Sequence, residues 1–167
     1  VEVYNSVTHA LKVGYRHVDT AQIYRNEVGV GRAIADSDLA REDIFLTTKV
    51  WNDKHDYDLA KASIEESLEK LGVDYVDLLL IHWPNPKALR EQDAWKAGNA
   101  GAWKAMEEAY RAGRVRAIGV SNFMIHHLEA LLETADIKPH VNQILLAPGC
   151  SQDELVAFCR QEDILLE

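Results

Sequence analysis

Cysteine, proline and positive charge are all scarce in this 167-residue sequence. Its two cysteines, Cys150 and Cys159, form neither a CxxC pair nor a His-Cys ligand spacing, which disfavours a metal site or a disulfide framework and favours a reducing compartment. There are 18 Lys and Arg against 27 Asp and Glu, and this net charge of −9 argues against a nucleic-acid or anionic-membrane surface. No apolar run approaches the ~20 residues of a transmembrane helix, and no signal-peptide core opens the chain. We therefore expect a soluble, cytoplasmic protein that binds neither nucleic acid nor membrane.

What the sequence does contain is an alternation of short apolar runs with longer helical segments. The runs are YRHVD, DIFLTTK, YVDLLLIHW, VRAIGVS, VNQILL and DILLE, and they recur at the spacing of repeated βαβ units. They do not alternate cleanly between apolar and polar residues, so both faces of each strand are expected to be buried, as in a parallel sheet covered by helices. No GxGxxG loop follows a strand, which disfavours a dinucleotide-binding doubly wound fold. An open sheet and a (β/α)8 barrel both remain.

The length of the chain bears on that choice. Five complete strands and a shortened sixth cannot close a barrel of ~250 residues. With four prolines and no Pro/Ser/Gly-rich stretch, nothing divides the chain. We expect a single domain over residues 1–167, either an open sheet or a fragment of a barrel.

The helical segments carry predictions of their own. On DLAKASIEESLEKLG the spacing predicts one buried face, made of Leu59, Ala62, Leu68 and Leu71. Ser151 and Glu154 have the spacing of a capping box. The glycines of VGVGRAI lie inside a helical stretch, which indicates close helix packing rather than a phosphate loop. The stretch PNPKALREQDAWKAGNAG is expected to be a long loop between a strand and a helix.

Polar side chains stand where successive predicted strands end and, in the case of Gln143, within a predicted strand. They are Asp19, Lys49, His82, Ser121 with Asn122, and Gln143. In parallel α/β folds these strand ends converge on the ligand site. Each residue also has an ordinary structural explanation. Asp19, Ser121 and Asn122 can cap a turn or helix, Lys49 can be a solvated lysine, His82 a turn residue, and Gln143 a partner for neighbouring backbone.

The combination is more specific than any of its members. An acid, a lysine and a histidine at three successive strand ends, with Tyr24 shortly after the first, form a set that can move a proton. A free tyrosine has a pKa of about 10, so we expect Lys49, held by Asp19, to favour the phenolate and lower that pKa. A neutral His82 can donate to a carbonyl oxygen and orient a substrate.

Five stretches of the sequence resemble the aldo-keto reductase superfamily, in order and along nearly the whole chain: GYRHVDTAQIYRNEVGVGRAI, LTTKVWN, SLEKLGVDYVDLLLIHWP, GRVRAIGVSNF and VNQ. The resemblance implies a (β/α)8 barrel and a prokaryotic-type enzyme that reduces aldehydes or ketones with NADPH, or with NADH, without a metal. It also implies that the chain is the central part of the barrel, truncated at both ends and without the first strand and the C-terminal strands. The family's basic segment for the adenosine 2′-phosphate then lies outside it. The preference between the two cofactors therefore cannot be read from these residues.

The resemblance also assigns roles to individual residues. Tyr24 resembles the general acid, Lys49 and Asp19 the pair that tunes it, and His82 the residue that orients the substrate. The resemblance places four residues at the cofactor: Asp19, Ser121, Asn122 and Gln143. Trp51 and Trp83 resemble walls of the substrate pocket, with packing at the barrel rim as the alternative.

Two other classes of function stay open at this point. One is a non-catalytic module that binds the cofactor as a sensor or regulatory subunit. The other is a chain that is inactive alone and self-associates through its unpaired strand edges. The full-length protein is expected to be a monomer that binds a small carbonyl substrate, whose identity these residues do not determine.

Overall fold

The computed structural model describes residues 2–167, in which six helices alternate with six strands. The helices are α1 (Glu2–Lys12), α2 (Glu27–Ala35), α3 (Tyr57–Leu71), α4 (Ala94–Arg111), α5 (Ile125–Leu132) and α6 (Asp153–Gln161). The strands are β1 (His17–Asp19), β2 (Phe45–Val50), β3 (Val76–Ile81), β4 (Val115–Ser121), β5 (Val141–Gln143) and β6 (Leu165–Leu166). The order β–α–β predicted from the sequence is therefore present throughout.

All neighbouring strands are parallel, and they lie in the sheet in chain order from β1 to β6. A doubly wound sheet reverses its strand order part-way, whereas a barrel does not. Side chains from distant strands also touch. Gln143 Nε2 donates to Asp19 Oδ2 at 2.9 Å, and His17 Nε2 lies 3.7 Å from Glu167 Oε1. The sheet is therefore curled about an axis, with its inner side chains facing one another.

Residues of β3 alternate between two environments although all of them are buried. Leu79 and Ile81 belong to the main hydrophobic core beneath the helices, and Leu80 does not. Leu80 is in register with Lys49 on β2 and with Gly119 on β4, so these three residues share the inner face. Polar side chains on that face therefore project into the interior of the curl rather than toward the helices.

The predicted buried face of α3 is wrong in its first half. Leu59 is 49% exposed and Ala62 is also exposed. The residues that are buried are Ala60, Ser63, Ile64, Ser67, Leu68 and Leu71. Two serines occupy the buried stripe, so a pattern drawn from leucine and alanine alone selects the neighbouring stripe.

The long loop predicted after β3 is also wrong, because its second half is helical from Ala94 onward. Trp95 is 6% exposed and packs edge-on against His127 with ring centroids 4.9 Å apart, which anchors the first turn of α4. Gly98 does not break the helix. A Cβ there would lie 3.1 Å from His55 O, so the glycine serves close packing.

The interpretation of VGVGRAI as a closely packed helix is confirmed, since these residues fall in α2. A Cβ on Gly31 would lie 2.1 Å from the carbonyl oxygen of Leu71, so α2 and the end of α3 approach at backbone distance. Any larger residue at this position would force the two helices apart.

The predicted capping box at Ser151 and Glu154 is wrong. Helix α6 begins at Asp153, and the residue before it, Gln152, has φ 47° and provides no side-chain cap. Its amide donates instead to the carbonyl oxygen of Leu145. None of the helices between residues 2 and 167 combines the length and apolar character needed to cross a bilayer.

Candidate active site

The polar residues predicted at the strand ends form one connected group. Asp19 bonds to both Lys49 and Gln143 through its two carboxylate oxygens. Gln143 in turn connects through its backbone to Ser121, and Asn122 connects to His82. The convergence expected of parallel strands therefore occurs at the C-terminal end of this sheet.

Lys49 and Asp19 form an ion pair that is buried on the lysine side. Lys49 Nζ donates to Asp19 Oδ1 and, at 3.1 Å, to the carbonyl oxygen of Thr20. The side chain of Lys49 is 3% exposed and that of Asp19 is 34% exposed. A buried ammonium requires such partners, because desolvation of an unpaired charge costs several kcal/mol. Asp19 does not cap the turn that follows, whose N-terminal residue is Ala21 without a side-chain bond.

Tyr24 ends a 3-10 turn, Gln22–Tyr24, and is 52% exposed. Lys49 Nζ lies 5.9 Å from the centroid of its ring. Burial and the negative charge of Asp19 raise the pKa of Tyr24 above its usual value. The expected lowering by Lys49 is therefore wrong for this arrangement, because burial and the nearby Asp19 carboxylate both disfavour the phenolate. Tyr24 is a protonated phenol at neutral pH and can act as a proton donor.

His82 is held as a neutral imidazole between two aromatic rings. It is 8% exposed and lies edge-on to Tyr24 and to Trp51, with centroids 5.9 and 5.1 Å away. Burial, reinforced by the charge of Lys49, lowers the pKa of His82 to about 4. Its Nδ1 is completely buried and has no hydrogen-bond partner within residues 2–167, which leaves Nε2 as the nitrogen available to a ligand. A neutral imidazole in this position can donate a hydrogen bond but carries no charge.

The two tryptophans differ in their surroundings. Trp51 directly follows β2 and packs on His82, as a pocket wall does. Trp83 is 46% exposed and makes no aromatic contact with another described residue. Part of its ring is therefore accessible from solvent.

Ser121, Asn122 and Gln143 form a row of neutral hydrogen-bonding groups. Ser121 Oγ donates to the Gln143 carbonyl oxygen at 3.1 Å, and Asn122 Nδ2 donates to the His82 carbonyl oxygen at 3.0 Å. Neither Ser121 nor Asn122 caps α5, since its N-terminal residue is Met124. Within residues 2–167, the side-chain oxygens of Asn122 and Gln143 accept no hydrogen bond, so two carboxamide acceptors remain available beside Lys49 and His82.

Three residues that anchor Tyr24 were not identified from the sequence. Thr20 Oγ1 donates to Asn26 Oδ1 at 2.6 Å, which ties together the two ends of the segment that carries Tyr24. Gln22 bonds to the backbone N–H of Trp51. The sequence gives one indication of these contacts, because DTAQIYRN contains more polar residues than a simple turn requires.

The family model for the aldo/keto reductases matches residues 1–166 of the chain. The chain belongs to the aldo/keto reductase family. The glyoxal reductase of Bacillus subtilis (strain 168) is 49% identical to this aldo/keto reductase chain over 166 residues, covering 99% of the chain and 56% of the relative.

Solved aldo/keto reductases have the same fold. The aldo/keto reductase from Brucella melitensis is 47% identical, with a TM-score of 0.92 over 99% of this chain and 61% of its own. The Bombyx mori aldo-keto reductase in complex with NADP is 39% identical, with a TM-score of 0.86 over 99% of this chain and 55% of its own. The prediction of a (β/α)8-type fold is confirmed, as an incomplete barrel of parallel strands, and the alternative of an open sheet is wrong. The chain spans little more than half the length of these relatives.

Proposed function

We propose that the protein is an NADPH-dependent aldo-keto reductase that converts aldehydes or ketones to alcohols, with NADH as the alternative hydride donor. The observation that carries the proposal is the buried Lys49–Asp19 pair beside an accessible tyrosine and a neutral His82. Membership of the aldo/keto reductase family supports it, as do the NADP complex of the Bombyx mori relative and the name of the glyoxal reductase. The natural carbonyl substrate is not specified by these residues.

The residues present fit a nicotinamide. Its carboxamide offers both N–H donors and a carbonyl acceptor, and the row of Ser121, Asn122 and Gln143 offers hydroxyl and amide groups with two carboxamide oxygens available. We assign these three residues, together with Asp19, to the cofactor site. When bound, a reduced nicotinamide supplies the hydride for the carbonyl carbon.

The chain's own residues supply the proton and orient the substrate. Tyr24 donates its phenolic proton to the carbonyl oxygen as negative charge develops there. The ammonium of Lys49 then stabilises the phenolate left on Tyr24, and Asp19 keeps that ammonium charged and in place. His82 donates a hydrogen bond from Nε2 to the same carbonyl oxygen, which fixes the substrate without adding a second charge. We place Trp51 and Trp83 at the walls of the substrate pocket.

Replacement of Tyr24 by phenylalanine in the full-length protein tests the proposal. Tyr24→Phe deletes one oxygen, so NADPH-dependent reduction of a small aldehyde should fall by about 10²–10⁴-fold while NADPH affinity stays within about twofold of the parent, since the ring remains. Tyr15→Phe is the matched control, because Tyr15 is 66% exposed and lies before β1. Near-normal turnover by Tyr24→Phe would contradict the assignment. Tight NADPH binding without turnover by the parent protein would instead favour a non-catalytic sensor.

We further propose that residues 1–167 act as one domain of a monomeric, cytoplasmic protein. One continuous sheet and one hydrophobic core join the described residues, and Cys150 and Cys159 are both free thiols. Size-exclusion chromatography with light scattering tests the monomer, and a concentration-dependent dimer would contradict it. Limited proteolysis tests the single domain, because a stable cut between β3 and β4 would divide it.

A further inference from the structure

Gln22 makes more hydrogen bonds than its position in a short surface turn requires. Its Oε1 accepts the backbone N–H of Trp51 at 2.9 Å. Its Nε2 donates to Ser67 Oγ at 3.0 Å and to the Ser63 carbonyl oxygen at 3.2 Å. One carboxamide thus joins three parts of the protein: the turn that carries Tyr24, the end of β2, and α3. We propose that Gln22 is a positioning residue that sets Tyr24 and the Trp51 wall relative to His82, an inference that rests on the proposed function.

The turn that carries Tyr24 has little support of its own. It consists of three residues, none of which is buried, and it has no side-chain cap. Its internal bond runs from Tyr24 N–H to the Ala21 carbonyl oxygen, and Arg25 after it has φ 54°, a left-handed conformation that is unfavourable for a residue other than glycine. Short 3-10 segments with few buried contacts open easily. Lys49 and Asn26 bond to Thr20, before the turn. Within the turn itself, Gln22 is the residue whose side chain bonds it to β2 and α3.

The two serines of α3 that Gln22 contacts are buried. Ser63 and Ser67 are 3% and 2% exposed, in a stripe that otherwise carries apolar residues. Ser63 Oγ already donates to the Ala60 carbonyl oxygen, and the hydroxyl of Ser67 bonds to Gln22. A buried hydroxyl without a partner costs about 1–3 kcal/mol. Gln22 therefore provides the partner that lets Ser67 occupy this stripe, and the two positions are coupled.

The carbonyl oxygen of the Gln22 side chain bonds to Trp51, which we place at the wall of the substrate pocket. Trp51 packs edge-on against His82, and its backbone position is fixed by the bond to Gln22 Oε1. The same side chain therefore fixes the proton donor and the ring that lines the orienting histidine. A misplacement of about 1 Å at a reacting group can reduce turnover by on the order of 10²-fold. A residue that contacts neither substrate nor cofactor can influence the reaction through this link.

The test uses two substitutions of Gln22 in the full-length protein. Gln22→Leu keeps an apolar side chain of similar volume but removes the carboxamide and with it all three bonds. Gln22→Glu keeps an acceptor for the Trp51 N–H and removes the two donated bonds. Gln161→Leu is the matched control, because Gln161 is exposed at the end of α6. The measurements are kcat and KM for a small aldehyde, NADPH affinity, the solvent deuterium isotope effect on kcat, and the thermal midpoint.

Gln22→Leu should lower kcat by about 10–100-fold, with NADPH affinity within about twofold of the parent. The solvent isotope effect on kcat should rise, because proton transfer from a misplaced Tyr24 becomes more rate-limiting. The kcat and the solvent isotope effect of Gln22→Glu should lie between those of Gln22→Leu and those of the parent. A merely structural role would lower the thermal midpoint and leave kcat per folded molecule and the isotope effect unchanged, which would overturn the inference.

Two further comparisons keep the result decisive. If Gln22→Leu does not fold, Ser67→Ala is used instead, because it removes the bond between Gln22 Nε2 and Ser67 Oγ. An unchanged kcat and isotope effect in that variant would overturn the inference. Tyr24→Phe is assayed beside the Gln22 variants. A parent protein without NADPH-dependent turnover would overturn the proposed function and this inference with it. A parent that turns over and depends on Tyr24, combined with an unaffected Gln22→Leu, would overturn this inference alone.

Discussion

Both ends of the sheet pair a carboxylate with cations, but they leave different groups accessible. At the C-terminal end, Asp19 is 34% exposed and shares its oxygens between Lys49 and Gln143, while Tyr24 beside them is 52% exposed. At the N-terminal end, the side chain of Asp77 is 4% exposed and both of its oxygens are occupied by protein donors. The first arrangement presents polar groups to a ligand, and the second does not.

The N-terminal arrangement is a cluster of Arg41, Tyr75, Asp77 and Arg116, named here the basal cluster. Asp77 Oδ2 accepts from Arg41 Nη2 at 2.8 Å and from the Leu46 N–H at 2.9 Å, and Oδ1 accepts from Arg116 Nη1 at 3.2 Å. Each guanidinium carbon lies 4.3 Å from the centroid of the Tyr75 ring. The cluster ties β3 to β2 and β4 and to the segment before β2. In barrels of this type the N-terminal face contributes stability and the C-terminal face carries the reaction. Substitutions in the basal cluster should therefore lower stability, and substitutions in the strand-end site should lower activity.

Lys49→Met should give the largest effect and should act on activity alone. Without the ammonium nothing stabilises the Tyr24 phenolate, so kcat should fall by about 10²–10⁴-fold. The free energy of unfolding should change little, because the Asp19 carboxylate left behind is 34% exposed and can be solvated, so no unpaired charge stays buried. Steady-state kinetics and denaturant unfolding measure the two quantities, with Lys12→Met in α1 as the exposed control. A loss of more than about 3 kcal/mol of stability would mean that this pair is as structural as the basal cluster.

Asp77→Asn should show the reverse. It leaves two guanidinium groups facing an amide N–H, so the free energy of unfolding should fall by about 3 kcal/mol, as when one partner of a buried pair is removed. Turnover per folded molecule should be unchanged, because the cluster lies at the opposite end of β3 from His82. Asp74→Asn is the control, since Asp74 is exposed three residues earlier. If Lys49→Met and Asp77→Asn lowered the free energy of unfolding by the same amount, the distinction between the two ends of the sheet would be wrong.

The strand-end site was predictable from the sequence because it depends on topology rather than on detailed packing. Asp19, Lys49 and His82 each lie at or next to the end of an apolar run, and parallel strands bring such ends to the same edge whatever covers the sheet. The register of the sheet then places Lys49 on the inner face with Leu80 and Gly119. No partner had to be known in advance.

The features that sequence reasoning missed all depend on a partner distant in the chain. The start of α4 depends on Trp95 meeting His127, and the buried stripe of α3 depends on Ser67 meeting Gln22. Burial and the negative charge of Asp19 raise the pKa of Tyr24, an outcome that the identity of the residues alone does not decide. Local propensity gives such sites the wrong answer because tertiary contacts override it.

An acid titration should sharpen the comparison, because the segments that follow the C-terminal ends of β2, β3 and β4 contain buried neutral histidines and the basal cluster contains none. Burial lowers the pKa values of His55, His82 and His127 to about 4, against a usual value of about 6.5. The unfolded chain takes up these protons first as the pH falls, so stability is full above pH ~6.5, decreases down to pH ~4, and decreases no further for these groups below that.

For His127 the loss should be about 2 kcal/mol between pH 6.5 and pH 5, since over this range the unfolded chain binds a proton and the folded imidazole, whose Nδ1 accepts the Met124 N–H, does not. Denaturant unfolding at several pH values measures it. His127→Gln should remove that part of the slope and leave the rest. A pH dependence identical to that of the parent would show that His127 does not keep its depressed pKa in solution.

Arg116→Met should give the smallest effect and identify which part of the basal cluster carries its stability. The Arg116 side chain is 56% exposed, so its bond to Asp77 is screened by water and its contact with the Tyr75 ring is weak. Its loss should cost about 1 kcal/mol or less. Arg41 is 20% exposed and also donates to the carbonyl oxygens of Ile44 and Tyr75, so Arg41→Met should cost more in the same unfolding experiment. If Arg116→Met lowered the free energy of unfolding as much as Asp77→Asn does, the charge pairing between β3 and β4 would provide most of the cluster's stability. The buried carboxylate's bonds to Arg41 and to the Leu46 N–H would then be secondary.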